Sequence, residues 1–136
     1  MKNLIIFIAI SLVALSCKSN PIDSNGGQSI VGEWVWIQSS GGYAGNTIRP
    51  AANTKFVLRF TSDSSYAEIR NDTVLLTSRY SIHLGQTIFQ SDLMPVISFQ
   101  NSSIPMKVIF KLSNDSLHLA DNHYDGYGSL YIRANR

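Results

Sequence analysis

The chain of 136 residues carries 11 basic and nine acidic side chains, a net charge of +2, and a single cysteine. Near-neutral charge with no clustered Lys and Arg stripe, and no aromatics interleaved with basic runs, sets a nucleic-acid binder aside. A chain this short is expected to build one compact domain, and with no second cysteine its core must hold without an internal disulfide.

Lys2 precedes a nearly continuous apolar run from Leu4 to Ser16, after which Cys17, Lys18, Ser19, Asn20 and Pro21 turn the chain polar. Spanning a bilayer core takes about 20 helical residues, so this shorter run reads as an export signal over 1–16. A small residue, Ser16, directly before the lone Cys17 resembles the lipobox of bacterial lipoproteins. That resemblance implies acylation of the Cys17 thiol, removal of residues 1–16 and a lipidated N-terminus. Ala14-Leu15-Ser16 also fits the small-x-small site of ordinary signal peptidase, which would leave Cys17 as a free thiol. Two or three acyl chains, at about 0.8 kcal/mol per buried methylene, hold a small domain on a membrane without a spanning helix. Residues 17–29, rich in Ser, Asn, Gly, Asp and Gln, cannot bury enough surface to offset chain entropy and read as a tether.

From residue 30 to 136 the dominant period is two, the strand signature. In Lys55 to Phe60 the positions Phe56, Leu58 and Phe60 alternate with Lys55, Val57 and Arg59; in Met106 to Leu112 the positions Met106, Val108, Phe110 and Leu112 alternate with Lys107, Ile109 and Lys111. Strands are expected near 31–39, 54–61, 65–70, 73–83, 87–90, 95–100, 106–112, 116–120 and 129–134. Ser62-Asp63-Ser64-Ser65, Asn71-Asp72, Ser113-Asn114-Asp115-Ser116 and Asp125-Gly126 supply the reversals between them. Eight or nine short antiparallel strands and no helical pattern leave a closed meander barrel or a two-sheet sandwich. Sequential hairpins favour the first: an all-β, antiparallel, up-and-down β-barrel of about eight strands, whose closure also removes exposed edges.

Gly32-Glu33-Trp34 on the first strand, with Arg133 in Tyr131-Ile132-Arg133 on the last, resembles the lipocalin superfamily. The ordered set of Gly32 to Trp36, Gly41-Gly42, Asp115 to Leu119, Asp125-Gly126-Tyr127 and Tyr131 to Arg133 looks like the small lipocalin-like domains carried by many lipoproteins of Gram-negative bacteria, over residues 30–134. The resemblance implies that Gly32, Trp34 and Arg133 close the barrel, the indole plugging one end and the guanidinium stacking on it, a contact worth about 0.5 to 2 kcal/mol. It also implies a ligand site inside, for which Trp36, Tyr43, Phe56, Leu58, Phe60, Val108 and Phe110 are the candidates. The same inward positions, with Leu117 and Leu119, equally serve to fill a small barrel. The segment from Ser39 to Asn53, with Gly41, Gly42, Tyr43, Gly45, Asn46 and Arg49, is the expected mouth loop.

Little in the sequence suggests catalysis. No G-x-S-x-G elbow accompanies His83, His118 and His123, and nothing pairs Glu33 with Glu68, the two glutamates of the chain, as acid and base. His118, Asp121, His123 and Asp125 are spaced for a divalent ion, yet such alternation leading into an Asp-Gly turn is what a solvated hairpin shows. No metal, cofactor or enzymatic activity is therefore expected. The expectation is an exported protein, lipid-anchored to the cell envelope at the outer membrane, on its periplasmic or surface face, that binds a small hydrophobic molecule. A structural or inhibitor-like barrel with a filled core, presenting itself to a protein partner, is the alternative.

Overall fold

The computed structural model describes residues 28–134; the leader 1–16, Cys17 and all but the end of the tether lie outside the described residues. Nine strands and no helix occupy them: β1 (Gly32–Gly41), β2 (Asn46–Ile48), β3 (Phe56–Phe60), β4 (Ser65–Arg70), β5 (Thr73–Gly85), β6 (Met94–Phe99), β7 (Lys107–Leu112), β8 (Ser116–Asp121) and β9 (Tyr127–Arg133). From β3 each strand pairs antiparallel with the next in sequence, and β1 joins β3 on one side and β9 on the other. Eight strands thus close a barrel, and β2 is the additional strand. It pairs with the far end of β1, Ser39 opposite Ile48 to Gly41 opposite Asn46, where β3 no longer accompanies β1.

Strand alternation explains the inner surface. Trp34 stands opposite Leu58, Leu58 opposite Glu68 and Glu68 opposite Leu76, so one row of inward positions crosses four strands. Trp34, Phe60, Tyr66, Tyr80, Ile97, Ile109, Leu117 and Leu119 form the buried core, with Leu58, Leu76, Ile82, Phe99 and Tyr131 packed against it. Within it Phe60 meets Tyr66 at 5.0 Å and Tyr80 at 5.1 Å between ring centroids. The 13 residues of β5 serve both neighbours in succession, Thr73 to Arg79 pairing with β4 and Tyr80 to Gly85 with β6. That stagger is what tilted strands in a closed barrel require.

Three bulges adjust the alternation, in β1 between Trp36 and Gln38, in β5 at Leu75, opposite the step from Glu68 to Ile69, and in β7 between Ile109 and Lys111. The first matters most. The extra residue lets Trp36 and Ser39, three apart, line the same interior, where the Trp36 indole Nε1 donates to Ser39 Oγ at 2.9 Å.

The expected strand over 87–90 is absent. Residues 86–93 form a loop instead, in which the Ile88 amide donates to Asn122 Oδ1 at 2.9 Å and the Phe89 ring packs edge-on to Phe110 at 4.7 Å. A two-residue apolar pair between polar neighbours satisfied the strand pattern, but its side chains pack on the barrel's outer face rather than joining a ladder. The expected mouth loop is shorter than the sequence suggests, since β1 runs on to Gly41 and Asn46 to Ile48 form β2. β9 also begins at Tyr127, two residues before the expected start.

Candidate functional site

The plugged end is built from three segments. Trp34 is fully buried, and its indole Nε1 donates to the Ile30 carbonyl at 2.7 Å. The Arg133 guanidinium carbon lies 4.1 Å from the Trp34 ring centroid. Its N–H groups donate to the carbonyls of Val31 at 2.9 Å and Ser29 at 2.8 Å, and also to that of Asn114. One planar fork thereby ties the start of the barrel to the β7–β8 turn and to β9, a geometry an ammonium point charge cannot reproduce. Gly32, at a φ of 142°, leaves room for this: a Cβ there would collide with Arg133 Nη1.

One strand-step beyond the plug the barrel is not filled. A cavity of about 220 Å³ opens between β1, β3, β4, β6, β7, β8 and β9. One wall is Trp36 edge-on to Phe56 at 5.7 Å, with the Arg70 guanidinium 5.5 Å from the Phe56 ring centroid. The facing wall is Tyr66 against Phe99 at 4.6 Å, and Leu58, Leu119 and Tyr131 complete the apolar lining.

Two charged side chains belong to this lining. Lys107 Nζ is bonded to the Asp121 carboxylate, which also accepts the Tyr127 amide at 3.0 Å. Burial works against the Asp121 charge, but these donors outweigh it and hold the carboxyl below its usual 3.8. Glu68 differs. Its Oε1 accepts the Tyr66 hydroxyl at 2.8 Å, and no cation lies within ion-pair distance among the described residues. Its negative charge is felt by both inward tyrosines. Burial first, and Glu68 second, push the Tyr66 phenol far above its usual range; Tyr131 is pushed up to about 12 by burial, with Glu68 adding to it.

The candidate ligand contacts therefore separate. Trp36, Phe56 and Leu58 line the cavity, whereas Phe60, only 1 % exposed, fills the core nearer the plug. Tyr43 stands almost wholly exposed in the β1–β2 turn and does not reach the interior. Val108 and Phe110 are corrections to the inward set. Val108 pairs with Val96 in the register that places neighbouring Ile97 in the core, so both valines face outward, where they are buried with Met94. Phe110, half exposed, lies outside against Phe89. The alternation expected over 106–112 is inverted from Met106 to Phe110, where Lys107, its charge met by Asp121, and Ile109 face inward; the bulge after Ile109 then returns Leu112 to the core side, as expected.

Glu68, Tyr66, Phe99, Lys107 and Tyr131 were not singled out as site residues from the sequence. The available signal for Glu68 was its position two residues after Tyr66 in a strand, which puts an acid on the apolar face. Of the acidic and imidazole cluster at the β8–β9 turn, Asp121 is taken by Lys107, His123 lies 3.9 Å from it, and His118 faces an outer groove. Comparison with protein-family models, curated proteins and solved structures finds no match.

Proposed function

We propose that this chain is an exported, lipid-anchored, lipocalin-like binding protein that takes one small, largely apolar molecule into the barrel beside Trp36 and Phe56. The observation that carries the reading is the unfilled, aromatic-walled cavity on the side of the core away from the Trp34 plug. At about 220 Å³ it exceeds the roughly 150 Å³ cavity known to take up benzene but falls short of the roughly 300 Å³ at which drug-sized pockets begin. A ligand of one-ring to two-ring size fits within it, whereas a long-chain lipid would leave most of its chain outside. Anchoring is supported by the apolar leader ending at Cys17. Arg133 holds the Ser29 carbonyl at the plugged end, so the tether joins the barrel there and the cavity opens away from the point of attachment.

Native mass spectrometry of the gently purified full chain, with a denatured spectrum beside it, tests this reading. A reproducible adduct lost on unfolding is expected, of a mass suited to one or two rings. A clean apo mass across independent preparations, with no uptake of added small aromatics, contradicts it.

The protein-interaction alternative is favoured by a different feature, the outer groove of about 530 Å³ bordered by Ile88, Phe89, Phe110 and Tyr124. Its expected result is an apo barrel together with a co-purifying chain that is lost in Phe110→Ser.

A further inference from the structure

The cavity has an electrostatic sign as well as a size. Of the charged groups around it, Lys107 is neutralised by Asp121, and Arg70, opposite Phe56 on the same face of β4 as Glu68, lies over the Phe56 ring at the rim, where it is exposed to solvent. Glu68 has only the Tyr66 hydroxyl, a neutral donor that leaves the second carboxylate oxygen free of any hydrogen bond among the described residues. A carboxylate among Trp36, Phe56, Tyr66, Phe99 and Tyr131 is costly unless something compensates it. Aromatic faces and a carboxylate together are the two groups that recognise an organic cation, the rings through their quadrupoles and the acid through its charge.

From this juxtaposition we infer that the ligand carries a protonated or quaternary amine, which pairs with Glu68 while its apolar body lies between the Trp36–Phe56 and Tyr66–Phe99 walls. The inference rests on the proposed small-molecule role of the cavity and gives that ligand its chemical class. Lys107 adds to the selectivity, because its charge is already met by Asp121, whereas an anionic analogue meets Glu68 directly and is left with Arg70 at the solvent-exposed rim.

The test uses three probes of similar shape on the full chain: 2-phenylethylammonium, neutral 2-phenylethanol and anionic 3-phenylpropionate, each titrated against Trp fluorescence and ligand-observed NMR. The ammonium is expected to bind at least about tenfold tighter than the alcohol, as a partly desolvated ion pair with aromatic contacts provides, and the carboxylate weakest. Glu68→Gln keeps an acceptor for the Tyr66 hydroxyl, so it should fold and melt as the wild type does. In it the ratio of ammonium to alcohol affinity should collapse to near parity, and Glu68→Asp should restore part of the preference. Equal binding of ammonium and alcohol by the wild type, or tighter binding of the carboxylate, overturns the inference and leaves the cavity reading standing. Binding of none of the three overturns both.

Discussion

At the scale of single residues, Trp34 and Arg133 organise the plugged end, and their energetic roles differ in kind. Trp34 contributes buried ring area plus one satisfied indole N–H, so Trp34→Ala should cost about 3–5 kcal/mol in a urea titration. Arg133 contributes a fork that spans three backbone carbonyls. Arg133→Lys keeps the charge and the stem but serves at most one or two of those acceptors, and should cost about 1–2 kcal/mol in the same titration. A lysine variant indistinguishable from wild type would show that the stacked cation alone suffices. The exposed pair of Arg59 with Glu33, at 2.7 Å, is by contrast worth at most about 1 kcal/mol.

At the scale of elements, the 86–93 loop changes which surfaces count as interior. Val96 and Val108 face outward yet are completely buried with Met94, while Phe110 on the same strand remains half exposed. Val108→Ala should therefore cost about 2–3 kcal/mol and Phe110→Ala under about 1 kcal/mol, compared by chemical denaturation. The reverse order would mean that the loop does not cover β6 and β7. The same loop marks the limit of what the sequence discloses. Period-two alternation located β3, β4 and β8 closely, because turn residues bracket each of them. It could not fix the phase of β7, where Lys107 faces in only because Asp121, 14 residues on, stands opposite to receive it. Nor could it separate Ile88 and Phe89 from a strand, since their partners, Asn122 and Phe110, are distant in sequence.

At the scale of the whole molecule, closure through β1 and β9 follows from residues at the two ends of the domain, and the Gly-x-Trp and terminal Arg made it legible in advance. The cavity was less legible. Trp36, Phe56 and Leu58 were readable as inward aromatics and an aliphatic on alternating positions, but whether they meet in the middle depends on barrel diameter and on the β1 bulge that aligns Trp36 with Ser39. Glu68 was visible as one of two glutamates, yet its meaning emerges only when three strands place it between Leu58 and Leu76.

The two tryptophans give the central claim its most direct test, because Trp36 lines the cavity while Trp34 is sealed beneath it. The measurement is a 15N-correlated NMR titration of the full chain with 2-phenylethanol, following the two indole N–H signals. A ligand inside the barrel shifts the Trp36 indole and the Phe56, Glu68 and Tyr131 amides, and leaves the Trp34 indole nearly still. Shifts confined to Phe89, Phe110, Tyr124 and Leu130, with both indoles unmoved, would place binding in the outer groove and contradict the account.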